Sequence, residues 1–124
     1  MTAIGSFSFR YGALRPLLSA LGMGPGLSHV ELDGDTLRVR MGWAFRATIP
    51  VSQIAGVQAR TGPVGGIGVH GWRGRWLVNG ATTGLVLITV DPSVRAWGTG
   101  VPVQLRELTL SLEDPDAFVA ALGR

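Results

Sequence analysis

Two pairs of arginines are spaced so that they could hold an anion. Arg38 and Arg40 flank one apolar residue in an alternating segment, and Arg73 and Arg75 repeat this spacing. Residues two apart in a strand point to the same face, so each pair would place two guanidinium groups side by side. Guanidinium groups bind phosphate and carboxylate oxygens through paired N–H donors. These four arginines are therefore candidate ligand-binding residues, and the alternative is an ordinary solvated strand face.

A glycine-rich segment supplies a fifth candidate, His70. Residues 66–71 match the G-x-G-x-x-G pattern of dinucleotide-binding loops. That function requires a strand before the loop and a helix after it, so that the helix N-terminus faces the pyrophosphate. The residues that follow, 72–78, instead have the pattern of a strand. We therefore predict a flexible loop in which His70 is a candidate ligand contact.

The acidic residues and the second histidine form no catalytic or metal-binding pattern. Asp33 and Asp35 belong to a turn, and Asp114 and Asp116 to a helix start. The remaining acids form no general acid–base pair. The two histidines are far apart in the chain, and there is no cysteine. We expect no enzyme activity, no cofactor and no metal.

Four tryptophans are a large aromatic content for 124 residues. Trp72 and Trp76 are four residues apart, so in a single strand both side chains would point to the same face, which predicts that both pack in the core. Trp43 and Trp97 each adjoin a glycine, at strand ends or in loops. Exposed aromatic residues in such places are typical of contact surfaces, so Trp43 and Trp97 are the candidate interaction surface.

Composition indicates one folded domain. Hydrophobic residues make up 46% of the chain and charged residues 15%, which excludes intrinsic disorder. The net charge is +3, and every basic residue is arginine. Because this charge is small, it is weak evidence for nucleic acid, which we do not expect as a partner. The absence of cysteine excludes a disulfide framework.

The apolar pattern divides the chain into strands with a helix near each end. Residues 1–26 predict a strand followed by a short helix, whose leucines recur at helical spacing. Seven alternating segments follow from residue 28, with loops over residues 61–71 and 91–100. Asn79-Gly80 is typical of a two-residue hairpin turn. A change of phase near Arg106 in the last strand predicts a bulge.

A C-terminal helix completes this pattern. Asp114 can cap it, Pro115 suits its first turn, and Phe118 and Leu122 give it an apolar stripe. A flat sheet of seven such strands would leave an apolar face in water, so we expect the sheet to curl. The predicted fold is mainly β: a seven-stranded antiparallel, partly open barrel capped by the C-terminal helix.

This order of elements resembles the pleckstrin-homology (PH) superfold, and more narrowly the small bacterial PH-like proteins. The segments that carry the resemblance are residues 45–53 (FRATIPVSQ), 71–90 (GWRGRWLVNGATTGLVLITV) and 108–122 (LTLSLEDPDAFVAAL). It implies two near-orthogonal antiparallel sheets with a helical cap, and binding rather than catalysis. It divides the single domain, residues 1–124, into an extension (1–26) and a PH-like core (27–124).

The same resemblance bears on the first arginine pair. PH domains that bind phosphoinositides carry a basic-x-basic pair near the first hairpin, and Arg38 and Arg40 hold a comparable place. The chain departs from that pattern because it has no lysine-rich loop. In addition, Asp33 and Asp35 in the adjacent turn would repel phosphate.

We therefore expect a non-catalytic module that binds a protein partner or associates with itself as a homo-oligomer. One alternative is a peripheral module for anionic lipid or phosphate, and another is a barrel that encloses a small apolar ligand between tryptophan walls. No targeting segment is evident, and the longest apolar run, residues 85–90, is too short to span a bilayer. The expected location is the cytoplasm, at the membrane surface if the lipid alternative holds.

Overall fold

The computed structural model describes residues 4–61 and 66–123. In this part of the chain nine strands form one sheet, with two α-helices and two short 3-10 turns, Pro25–Leu27 and Val51–Gln53. The strands are β1 (Ile4–Phe7), β2 (Ser28–Asp33), β3 (Thr36–Met41), β4 (Phe45–Pro50), β5 (Ile54–Arg60), β6 (Gly68–Trp72), β7 (Arg75–Asn79), β8 (Leu85–Gly98) and β9 (Val101–Ser111). The helices are α1 (Arg15–Ala20) and α2 (Pro115–Leu122).

The two longest strands, β8 and β9, run through both halves of the sheet. The strand order is β1-β2-β3-β4-β8-β9-β7-β6, and β5 pairs with the first half of β8. β4 pairs with the second half of β8, from Ala96 to Gly98. One half of the sheet is therefore β1-β2-β3-β4-β8-β9, and the other is β5-β8-β9-β7-β6. The sheet is not closed, because the path ends at β1 and β6.

Alternation of apolar and polar residues places the core on one face of the sheet. In β3, Leu37, Val39 and Met41 are buried, while Arg38 and Arg40 are exposed. β4 repeats the pattern with Phe45, Ala47 and Ile49 inside. Because side chains alternate across a strand, the same register places the arginines of β3 and β4 together on the outer face.

The C-terminal helix is confirmed. Asp114 caps α2 by accepting a hydrogen bond from the Ala117 amide at 3.1 Å, and Gly123 ends the helix at a φ of +65°. Phe118 and Leu122 are buried, and α2 packs against β5 and β8. The Phe118 ring meets the Phe7 ring edge-on at a centroid distance of 5.1 Å. The helix thus covers one end of the apolar interior.

The strand count and pairing differ from the predicted seven antiparallel strands. β1 extends the sheet beyond β2, and β6 lies in a segment predicted to be a loop. β7 and β9 pair in parallel, with Trp76 opposite Leu108 and Val78 opposite Leu110. Val78, Leu108 and Leu110 are buried and Trp76 is half-buried, so this pairing brings apolar side chains together at the interior. Residues 62–65 of the predicted 61–71 loop lie outside the described residues.

The predicted hairpin turn at Asn79-Gly80 is wrong. β9 lies between β7 and β8 in the sheet, and the buried Asn79 side chain donates hydrogen bonds to the carbonyls of Gly66 and Ala81. In this part of the chain a two-residue hairpin turn instead lies at Arg73-Gly74, which joins β6 to β7. Both of its residues have positive φ, as a type I′ turn requires.

An irregularity is present near Arg106, where the sequence predicts a bulge in β9, but the unpaired extra residues are in the partner strand, β8. Glu107 lies opposite Thr89 and Leu105 opposite Val94, so four residues of β8 face one of β9. The predicted loop over residues 91–100 is mostly strand, because β8 continues to Gly98. This bend lets both strands pass from one half of the sheet to the other.

The N-terminal segment forms a strand and a helix as expected, but three of the four leucines within residues 14–21 face outward. Beyond β1, Phe9 and Tyr11 form isolated bridges to Leu112 and Gly80. In α1 only Leu18 is buried. Leu14, Leu17 and Leu21 are exposed, so the stripe that helical spacing would place against the core faces solvent.

Candidate functional site

An exposed apolar surface lies at the end of the sheet where two hairpins turn. Trp43 stands in the turn between β3 and β4 with 62% of its surface exposed, and Trp97 precedes the turn between β8 and β9. The neighbouring helix α1 and the turn Pro25–Leu27 add exposed leucines. We call this surface the apolar tip. Its members are Leu17, Leu21, Leu27, Trp43 and Trp97.

Hydrogen bonds hold the segments of the apolar tip together. The Trp43 indole Nε1 donates to the carbonyl of Leu21 at 2.7 Å, and the Gly42 amide donates to the carbonyl of Leu27 at 3.0 Å. Gly42 has a φ of +54°, and a Cβ there would overlap the backbone of Gly22. The large side chains are therefore held in place by backbone contacts while their own surfaces stay in solvent.

A row of basic residues adjoins the apolar tip on the outer face. Arg40 and Arg46 lie directly opposite each other on β3 and β4, and Arg46 lies opposite Trp97 on β8. Like charges placed opposite each other across a strand pair destabilise the sheet. Among the described residues neither arginine has a carboxylate within 4.0 Å. We call Arg40 and Arg46 the basic row; it is suited to a negatively charged partner.

Arg38 differs from Arg40 although both point to the same face. Arg38 forms an ion pair with Asp33 at 3.6 Å and lies opposite Glu31 on β2. The acids of this face therefore surround Arg38, and the end of the face nearer the apolar tip carries the basic row. The predicted pair Arg38 and Arg40 lies on one face of one strand, but its two charges have different surroundings.

A small cavity of about 150 Å³ joins the basic row to the apolar tip. Its lining combines two guanidinium groups with two indole rings and the glycines of both turns. The lining residues are Arg40, Gly42, Trp43, Arg46, Trp97 and Gly100. The two guanidinium groups thus lie beside two indole rings that are exposed to solvent.

The second predicted arginine pair lies at another place, and one of its members is not in a strand. Arg75 opens β7 and pairs with Glu107 at 3.3 Å, whereas Arg73 stands in the hairpin turn with a φ of +53°. The prediction that both share one strand face is therefore wrong for Arg73. His70 is an exposed residue of β6, and its Nε2 is 2.8 Å from the carbonyl oxygen of Ile67.

The prediction that Trp72 packs in the core is also wrong. Trp72 is 74% exposed, and Trp76 is half-buried with its ring 5.9 Å from that of Phe45. The turn Arg73-Gly74 separates the two residues, so they belong to different strands. Their even spacing in sequence therefore does not place their side chains on the same face. Trp72 lies opposite Arg75, and Trp76 lies opposite Gly71.

Arg46, Leu17 and Leu21 belong to the candidate site, but they are not among the candidate residues that the sequence predicts. Arg46 follows the alternation of β4, but its position opposite Arg40 depends on how β3 and β4 pair. The exposed leucines have ordinary helical spacing, and only tertiary packing decides which face of α1 is covered. The signal in the sequence that could have identified Arg46 is its short spacing from Arg40 and Trp43 around one turn.

Comparison of the chain with protein-family models, with curated proteins and with solved structures gave no significant match in any of the three. Neither helix in the described part of the chain is long and apolar enough to cross a membrane. Within residues 4–61 and 66–123, no three His, Asp or Glu side chains come together as metal ligands would.

Proposed function

We propose that this protein is a non-catalytic module that binds an anionic lipid surface through the apolar tip and the basic row. The observation that carries the proposal is the position of Arg40 and Arg46 beside exposed Trp43 and Trp97. Tryptophan and leucine partition into the interfacial region of a bilayer, and arginine pairs with lipid phosphate.

The charge distribution supports a lipid surface over self-association through this patch. In a two-fold symmetric dimer the same patch of both copies meets, and the basic row would then find no acidic group across the interface. The nearest acids of the outer face, Asp33 and Glu31, lie beside Arg38 and away from the apolar tip. A protein partner would have to carry acidic groups around an apolar centre.

The positions of the tryptophans do not support the third hypothesis, a barrel enclosing a small apolar ligand. Trp43, Trp72 and Trp97 have exposed rings, so these three cannot serve as walls of an interior cavity. Trp76 is in contact with the core, and its ring packs beside Phe45.

Membership of the PH superfold stays a proposal. The helix α2 after the last strand, and the bent strands shared by two halves of the sheet, support it. The parallel pairing of β7 with β9 departs from the antiparallel arrangement that the resemblance implies. The lipid proposal rests on the surface residues and does not depend on this assignment.

Cosedimentation with vesicles tests the proposed function. We expect the protein to bind phosphatidylglycerol vesicles, not phosphatidylcholine vesicles, and to be released as salt rises from about 0.05 to 0.5 M, because salt screens exposed charges. Trp43→Ser should lower the partition coefficient about tenfold, since it removes a large apolar group from the contact. Trp72→Ser is the matched control, because this indole is also largely exposed and lies outside the apolar tip.

Two results would contradict the proposal. The first is binding to anionic vesicles that Trp43→Ser and Trp72→Ser reduce equally. The second is no vesicle binding, together with a concentration-dependent dimer in light scattering that Trp43→Ser abolishes; in that case the apolar tip serves self-association.

A further inference from the structure

The tip of the β6–β7 hairpin carries an arginine in a strained backbone conformation, at a position where the turn favours other residues. A type I′ turn has positive φ at both central residues, and Asn, Asp or Gly is preferred at the first. Arg73 holds this position with a φ of +53°, ahead of Gly74 at +85°. A non-glycine residue in this region of φ raises the energy of the native state. Such an outlier favours a role for the Arg73 side chain outside the turn.

The Arg73 side chain is stacked on an exposed aromatic ring. Its guanidinium carbon lies 5.5 Å from the centre of the Trp72 ring, which is a cation–π contact. This contact orients the guanidinium group. An oriented guanidinium loses less conformational freedom when it binds an anion.

The turn also brings a second arginine, Arg106, next to Arg73. The amides of Arg106 and Glu107 both donate to the carbonyl of Gly74, at 2.8 and 3.0 Å, and this fastens the turn to the bend of β9. A Cβ on Gly74 would lie 3.1 Å from Cγ of Arg106, so the Arg106 stem runs along the turn. Among the described residues neither Arg73 nor Arg106 has a carboxylate within 4.0 Å.

Two adjoining cavities open at these arginines. One, of about 850 Å³, extends from Trp72, Arg73 and Arg106 along residues 89–93. The other, of about 520 Å³, extends toward Trp76 and residues 103–104. The larger cavity also contains Asp91 and Glu107, and Glu107 is paired with Arg75. Each volume lies in the range of small-molecule sites.

We propose that Arg73 and Arg106 form a site for a phosphate monoester, with Trp72 as a stacking surface for its organic group. Two guanidinium groups beside one cavity match the double negative charge and the several acceptor oxygens of such a phosphate. This chemistry occurs in soluble phosphomonoesters and in lipids such as phosphatidic acid. The site is separate from the apolar tip and does not rest on the proposed function.

Calorimetric titration with phenyl phosphate tests the soluble source. A second arm compares vesicles of phosphatidic acid with vesicles of phosphatidylglycerol at equal charge, which tests the lipid source. In whichever arm binds, we expect Arg73→Asn and Arg106→Gln each to weaken binding about tenfold or more, because each removes a charged hydrogen-bond donor.

The melting temperature of Arg73→Asn shows whether a loss of binding comes from removal of the arginine or from unfolding of the protein. Asparagine suits the turn, so the melting temperature should rise by about 2–5 °C while binding is lost. Thr99→Asn is the matched control, because Thr99 also opens a turn at positive φ, with Gly100 behind it. It should raise the melting temperature similarly and leave phenyl phosphate binding unchanged.

The proposal is overturned if the protein binds neither phenyl phosphate nor phosphatidic acid in preference to phosphatidylglycerol. It is also overturned if Arg73→Asn and Arg106→Gln bind as tightly as the original chain. Loss of phosphatidylglycerol binding in Trp43→Ser concerns the apolar tip alone, so the two proposals fail separately.

Discussion

Trp76 lies in a slot between two glycines of different strands. A Cβ on Gly71 would come within 2.1 Å of the Trp76 ring, and a Cβ on Gly98 within 2.3 Å. Both glycines have ordinary strand conformations, so the requirement for glycine at these places is steric. The slot lets a bulky indole pack beside Phe45 where the sheet bends.

We predict that Gly98→Ala destabilises the protein by about 1–3 kcal/mol, since the added methyl group must displace the indole. Urea unfolding followed by circular dichroism measures this loss. Gly56→Ala is the control, because it also lies in a strand but a Cβ there meets nothing within 4 Å. A loss of stability at Gly98 no larger than at Gly56 would show that the ring moves aside freely.

Side-chain hydrogen bonds fasten the N-terminal segment to the rest of the sheet. The Tyr11 hydroxyl donates to the carbonyl of Met23 at 2.8 Å. The buried Ser111 hydroxyl accepts from the Gly80 amide and donates to the carbonyl of Arg10. These bonds position α1 and the turn after it, and therefore the leucines of the apolar tip.

Tyr11 makes the stability of this connection depend on pH. Burial raises the pKa of the Tyr11 hydroxyl above 10.0, while the Ser28 hydroxyl and the Arg15 charge lower it by less. Because the folded-state pKa is the higher one, the contribution of Tyr11 is fully present below about pH 10 and is lost as pH rises through the folded-state pKa. The chain has one tyrosine, no lysine and no cysteine, so few other groups titrate in this window.

We therefore predict that the free energy of unfolding falls above pH 10 in the original chain and stays nearly level in Tyr11→Phe. Urea titrations at intervals from about pH 8 to 11 check this prediction. At neutral pH the variant should be about 1 kcal/mol less stable, because it lacks the hydrogen bond to Met23. An equal alkaline fall in both proteins would exclude Tyr11 as the cause.

The sequence predicts elements whose signals are local. Alternation identifies β3 and β4, and Asp114 and Pro115 mark the start of α2, because capping and the alternation of side chains along a strand depend on neighbouring residues. The parallel pairing of β7 with β9 and the outward face of α1 depend on contacts between distant segments. The prediction for Trp72 is wrong for a similar reason. The turn at Arg73-Gly74 begins a new strand, so the alternation of side chains that holds for Trp76 does not extend back to Trp72.

At the scale of the whole molecule, acidic and basic charges are separated along one outer face, and the apolar tip lies at its basic end. Acidic residues accompany Arg38 at one end, and the basic row and the apolar tip occupy the other. A net charge of +3 is too small to direct binding by itself, so the local arrangement must do so. An anionic surface that also accepts apolar groups fits this arrangement.

The most direct test compares Arg46→Gln with Arg38→Gln in binding to phosphatidylglycerol vesicles at low salt. The two variants lose the same charge from the same face, but Arg46 adjoins Trp97 and Arg38 is paired with Asp33. Since each arginine near an anionic surface contributes about 1 kcal/mol, we expect Arg46→Gln to lower the partition coefficient about fivefold and Arg38→Gln less than about twofold. Equal losses in the two variants would contradict binding through the basic row.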